Sequence, residues 1–141
     1  MAPRFVDASV FVHAYIESRR PLKPHEKALK AKARGIVSRI NDGEPVVTSS
    51  VHLAEVANVL EDWRTQEDAH AIESGLLSRE TVAILAVGRS DMVEALDLAR
   101  QAHAGLTDAL AAILMRRNDL KEVYSFDHDF DRFAEVTRVG S

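Results

Sequence analysis

Residues 4–15 read Arg-Phe-Val-Asp-Ala-Ser-Val-Phe-Val-His-Ala-Tyr, and the change of period inside this stretch decides the fold. Arg4 to Val6 has the composition of a short buried strand, and a helical pattern follows at once, from about Ser9 to Glu17. A strand that passes straight into a helix is the repeating unit of α/β proteins. A carboxylate, Asp7, stands at the junction.

The same alternation continues outward. Pro21 and Pro24 break the chain, and residues from about 25 to 41 place Leu29, Ala33, Ile36, Val37 and Ile40 on one helical face, with Lys27, Lys30 and Arg34 opposite. Asn41-Asp42-Gly43 stops that helix, and a strand is expected over Val46–Thr48. Ser49 or Ser50 can cap the next helix, which runs to about Trp63; a polar helical stretch then reaches Gly75. Thr81–Val87 reads as a strand, Ser90–His103 and Thr107–Arg117 as helices, Val123–Phe126 as a strand, Phe130–Phe133 as a short helix and Val136–Val139 as a last strand. The expectation is one α/β domain over residues 1–141: a central, mostly parallel sheet of four or five strands, flanked by helices.

Composition narrows the function. The chain has 141 residues and no cysteine, which removes disulfide frameworks, thiolate nucleophiles and sulfur-bound zinc. MAPRFVDASVFVHAY carries an acid and a histidine within its apolar part and has no small-residue cleavage site, unlike a signal peptide. The longest apolar run, Ala109–Met115, is too short to cross a bilayer, so a cytoplasmic protein without membrane contact is expected. Net charge is −4, yet Arg19, Arg20, Lys23, Lys27, Lys30, Lys32, Arg34 and Arg39 cluster against a single acid, Glu26. A basic segment on an acidic body suits a face that meets a polyanion, although on charge alone a solvated surface helix is the simpler reading.

Three acids fall where the pattern predicts burial. Asp7 follows a strand, Glu55 is embedded in Val51-His-Leu-Ala-Glu-Val-Ala-Asn-Val-Leu60, and Asp108 opens a helix that is apolar almost all round. Asp127 directly follows the expected strand Val123–Phe126, in Ser125-Phe-Asp-His-Asp-Phe-Asp131. Each has a plain local explanation: Asp7 as a helix cap, Glu55 on a solvent edge, Asp108 at a favourable helix N-terminus, Asp127 in a solvated acidic turn. Asp7 and Asp127 each follow a strand, at the edge where α/β proteins build sites, and it is the four acids together that carry the inference. Unpaired buried carboxylates cost several kcal/mol, so a compensating cation is needed, and oxygen-only ligands suit Mg²⁺ or Mn²⁺.

The spans FVDASVFV, HLAEVANVL, GLTDALAAILM and VYSFDHDFDRF resemble the four acidic motifs of the PIN-domain family, and most closely its VapC-type toxin branch of type II toxin–antitoxin systems. The resemblance covers essentially the whole chain. It implies an α/β/α sandwich, a divalent metal site and endoribonuclease activity, with an antitoxin protein as partner and a homodimer as common assembly. Carried over residue by residue, it makes Asp7, Glu55, Asp108 and Asp127 the metal ligands and catalytic acids, with Asp129 a fifth candidate ranked below them. Ser9 and Ser125 match the hydroxyl positions that orient the acids. Lys27, Lys30 and Arg34 are candidates for holding RNA, and Asn58, one turn after Glu55, is a weaker candidate for the pocket.

Rival readings remain at this level. A PIN-like module that binds RNA or protein without turnover would use the acids for a partner's Arg or Lys. An aspartyl phosphatase would want Asp at position 9, where Ser stands, and a receiver domain would want a Lys after a late strand, whereas Lys121 precedes its strand. The eight aromatic residues lie mostly in core-like contexts, which suggests no base-stacking platform.

Overall fold

In a computed structural model describing residues 2–140, five short strands form one sheet in the order β3-β2-β1-β4-β5. They are β1 Arg4–Val6, β2 Val46–Ser49, β3 Val82–Leu85, β4 Glu122–Tyr124 and β5 Thr137–Val139. Every neighbouring pair is parallel, a stricter outcome than the mostly parallel sheet expected from sequence. Residues 1 and 141, the ends of the expected domain, lie outside the described residues. Six helices connect the strands: α1 Ala8–Tyr15, α2 Pro24–Asn41, α3 Ser50–Trp63, α4 Gln66–Ser78, α5 Arg89–Ala102 and α6 Leu106–Arg117.

The two faces of the sheet feed two cores, and the strand period of two assigns residues to them. Val6, Val46 and Tyr124 pack with α1, α2, α3 and α4. Their chain neighbours Phe5, Val47 and Val123 pack on the other face with α5 and α6. In α2 the buried stripe is Ala33, Ile36, Val37 and Ile40, as its periodicity predicts. Helix α6 is buried continuously from Asp108 to Met115, because it is sandwiched between the sheet and α5, whose small Ala95 and Ala99 permit the close approach. The result is an α/β/α sandwich.

Several boundaries differ from the sequence expectation. Strand β4 ends at Tyr124, two residues early, and the Ser125 N–H bonds to the Val139 carbonyl as the chain turns away. The short helix expected over Phe130–Phe133 is a 3₁₀ turn over His128–Arg132. Helix α4 continues past Gly75 to Ser78, and α1 stops at Tyr15, two residues short of Glu17. Two cations account for that stop. Lys30 donates its ammonium to the carbonyls of His13 and Ile16, and Arg64 Nη1 donates to the Tyr15 carbonyl at 2.7 Å. Helix-end carbonyls have no intrahelical donor and take such partners.

Candidate metal centre

The carboxyl ends of β2, β1 and β4 lie side by side, and the chain delivers an acid from each of the elements that follow. A pocket of about 270 Å³ at this edge is lined by Asp7, Glu55, Asp108 and Asp127, together with Ser9 and Thr107. Four segments, spread along the chain from residue 7 to residue 127, therefore meet in one place.

Asp7 occupies the N-cap position of α1, yet its side chain makes no cap hydrogen bond. Its Oδ2 instead accepts from the Ser125 hydroxyl at 2.9 Å, and the residue is 5% exposed. The Ser125 oxygen in turn accepts from the Asp127 N–H at 3.0 Å. One buried hydroxyl thus fixes two of the acids. Ser9 contributes from α1 by accepting from the Phe126 N–H at 3.3 Å, which pins the same turn. The turn also satisfies itself, because Asp127 Oδ1 accepts from the Asp129 N–H at 2.9 Å. The expected cap thus fails at Asp7, whereas the Asp127 side chain does cap the turn that follows it.

Asp108 lies in the first turn of α6 and is buried. Its carboxyl is pushed up to about 8, chiefly by burial, with the negative charges of Asp7 and Asp127 adding to the effect. Glu55, in the second turn of α3, is also raised by burial and by Asp7, while the Thr107 side chain works in the other direction. Asp108, Asp127 and Asp129 can each offer an oxygen such that the three lie within 4.8 Å of one another. Asp129, ranked lowest by sequence, thus stands with this group, and Asp7 and Glu55 line the same pocket. Asn58 is exposed and lies outside the lining; Val59 holds that place on α3.

One contributor was not singled out from the sequence. His52 is fully buried on α3. Its Nε2 faces the Thr107 carbonyl at 3.0 Å, which requires a donor there, and its Nδ1 meets the Ser49 hydroxyl at 2.6 Å. Burial lowers its pKa, so the ring is neutral, and Phe5 packs edge-on at 5.1 Å. The ring ties the start of α6, and hence Asp108, to the β2–α3 corner. A histidine amid Val51 and Leu53, one helical turn before Val56, was the available signal.

The family model described as "PIN domain" matches residues 4–136. The chain belongs to the PIN-domain family. Among solved structures, this PIN domain is similar to VapC20 of Mycobacterium tuberculosis, described as a sarcin–ricin loop cleaving toxin, with a TM-score of 0.73 and 21% identity over 94% of this chain and 95% of that one. It is also similar to PAE2754 from Pyrobaculum aerophilum, with a TM-score of 0.60 and 16% identity over 98% of this chain and 90% of that one. No curated protein sequence matches it. At these identities the structural likenesses speak for the fold.

The donor set fits a hard divalent cation. The lining offers only carboxylate and hydroxyl oxygens besides His13, whose pKa is lowered by burial and by Lys30. No Lys or Arg side chain lines this pocket among the described residues, so its negative charges have no counter-ion from the chain itself.

Proposed function

We propose that this PIN domain is a metal-dependent endoribonuclease that hydrolyses RNA phosphodiester bonds, and that it is the VapC-type toxin of a toxin–antitoxin pair. The observation that carries the reading is a pocket where acids from four separate elements converge without a compensating cation, to the point that Asp108 is held protonated up to about pH 8. A chain pays such an electrostatic penalty where function needs it. Asp7, Glu55, Asp108 and Asp127 would hold Mg²⁺ or Mn²⁺, with Asp129 completing the Asp108–Asp127 side. When bound, the cation supplies Lewis-acid activation of water and offsets the charge developing on the phosphate.

The residues of the chain do the positioning. Ser125 holds the Asp7 carboxylate with one hydrogen bond and the Asp127 backbone with another, so the acids are set before substrate arrives. Ser9 steadies the same turn, and His52 steadies the first turn of α6. Lys27 and Arg34 are exposed on α2 and free to grip the RNA backbone without reading sequence. The donors of Lys30 are instead spent on the end of α1, so its contribution is to the scaffold. A structured RNA substrate, an antitoxin partner, a homodimeric assembly and cytoplasmic residence complete the proposal. No described helix is long and apolar enough to cross a membrane.

The test is incubation of purified protein with structured RNAs in Mg²⁺ or Mn²⁺, with and without chelator. Cleavage that requires the metal and is lost in Asp7→Asn and Asp108→Asn is expected. Cleavage by either variant at the wild-type rate would refute the mechanism. RNA binding without any turnover would instead favour the non-catalytic module.

A further inference from the structure

A second pocket, of about 440 Å³, opens beside the acidic one, and Val12 and His13 of α1 line both. That volume lies in the range of ligand-sized clefts, roughly 300–1,000 Å³. Its floor is apolar, from Ile16, Leu22 and Leu29, and its wall carries Trp63, the chain's single tryptophan. Trp63 ends α3 and is 43% exposed, unusual for an indole in a small domain. The guanidinium of Arg19 lies over the indole ring, 5.4 Å from its centre.

The rim is cationic, but its members are not equivalent. Arg20 forks onto Glu26 at 3.0 and 2.9 Å, and Lys30 is committed to the end of α1. Arg19 donates to the Asp62 carbonyl at 3.2 Å and has no carboxylate partner among the described residues. The pocket therefore combines a part-exposed indole, a guanidinium without a carboxylate partner among the described residues and an apolar floor. It does so next to the place where a phosphodiester would be cut. An occupant must be planar and apolar, must carry negative charge beside it, and must continue into the acidic pocket. An unpaired nucleobase on a sugar–phosphate chain meets all three conditions.

We propose that this pocket seats one unpaired base of the RNA substrate, next to the scissile phosphate, by stacking on Trp63 with Arg19 serving the adjoining phosphate. The inference rests on the ribonuclease reading and adds a site of base recognition to it. Aromatic–base stacking tolerates every base, so the pocket selects for an unpaired nucleotide over a paired one. His13, packed edge-on against Phe126 at 5.6 Å, forms the partition between base and metal site.

Because Trp63 is the chain's sole indole, its fluorescence reports the pocket directly. The full chain in chelator, where no cleavage occurs, is titrated with a mixed-sequence single-stranded oligoribonucleotide. Saturable quenching is expected. It should disappear with an oligonucleotide of the same length made of abasic residues and weaken in Arg19→Ala. Trp63→Ala should lose roughly 5- to 100-fold in affinity by anisotropy, while its melting temperature, given the exposure of this side chain, stays close to wild type. Oligonucleotides that bind by anisotropy, or are cut when metal is added, without quenching and with equal affinity for Trp63→Ala would overturn the pocket assignment and leave the nuclease reading standing. Quenching by a protein partner but not by RNA would overturn it too. Base-dependent quenching in a protein that cuts no RNA with any divalent metal would support the pocket and refute the nuclease.

Discussion

Helices α5 and α6 pack on each other, and each begins with the same arrangement: glycine at the N-cap and aspartate at the third helical position. The two aspartates have opposite fates. Asp91 accepts from the Gly88 N–H at 2.8 Å and is ion-paired with Arg117 from the far end of α6, so its pKa is lowered, by the backbone hydrogen bond first and the guanidinium second. Asp108 has no such partner, is buried, and faces Asp7 and Asp127, so its pKa is raised to about 8. Two positions that are alike in local sequence thus differ in tertiary surroundings. Elsewhere the chain also supplies arginine where a carboxylate is structural, as at Arg116–Glu135 and Arg138–Asp131, both of which lower the acid's pKa. The acidic pocket is where that provision is withheld.

The largest expected effect separates the two aspartates by chemistry. Asp108→Asn should reduce metal-dependent cleavage by more than about 100-fold, beyond the 10–100-fold typical of residues that only support ligands. It should also raise the melting temperature of the metal-free protein near neutral pH, since folding no longer has to protonate a buried carboxyl beside Asp7 and Asp127. Asp91→Asn should leave cleavage unchanged and lower the melting temperature. Equal activity loss in both variants would erase the distinction.

Metal should act on one aspartate and not on the other. Anything that binds only the folded state stabilises it, by about 2.7 kcal/mol at a hundred times its dissociation constant. Mn²⁺ or Mg²⁺ should therefore raise the wild-type and Asp91→Asn melting temperatures and fail to raise that of Asp108→Asn, as read by thermal denaturation. Next in size, Ser125→Ala removes the hydroxyl that holds Asp7 and the Asp127 N–H. A roughly 10–100-fold loss of metal affinity or activity is expected, measured by metal titration of cleavage.

A pH series without metal gives opposite signs for the two sites. Folded Asp108 keeps its proton up to about pH 8, while unfolded it releases it near 3.8. The native state therefore binds the extra proton between those limits, and its stability falls as pH rises through that window. Asp91, with its lowered pKa, contributes stability above the ordinary aspartate range and loses it as pH falls. Melting temperatures of metal-free protein should fall from pH 5 to pH 8, and saturating Mn²⁺ should flatten that slope. The smallest effect is expected from Arg117→Ala, which removes the surface ion pairs with Asp91 and Glu94: a slight drop in melting temperature and unchanged cleavage.

Much of this was legible in the chain itself. The α2 stripe, the junction at Asp7 and the apolar length of α6 follow from periodicities of two and 3.6, which depend only on neighbouring residues. The acids at positions 7, 55 and 108 stood out because each broke an apolar pattern, and Asp127 because it directly follows a strand. Harder to see were Asp129, which joins Asp108 and Asp127 through a 3₁₀ turn, and Lys30, whose ammonium turns back onto α1 although its place opposite the apolar stripe suggested a free cation. Trp63 differs from the other aromatic residues, most of which lie in core-like contexts: it stands among polar Glu61, Asp62 and Arg64 at the end of α3, and its indole is 43% exposed.

Sequence alone determined the alternation of strands and helices, the two faces of each strand and the presence of carboxylates in apolar company, because these are consequences of local geometry and of the cost of burying charge. Tertiary structure alone decided which of those carboxylates share a pocket and which basic residues are spent on the scaffold. The strand order sets β2, β1 and β4 side by side and brings their carboxyl ends to one edge. Electrostatic energy depends on distance through space, which residue spacing along a chain does not encode.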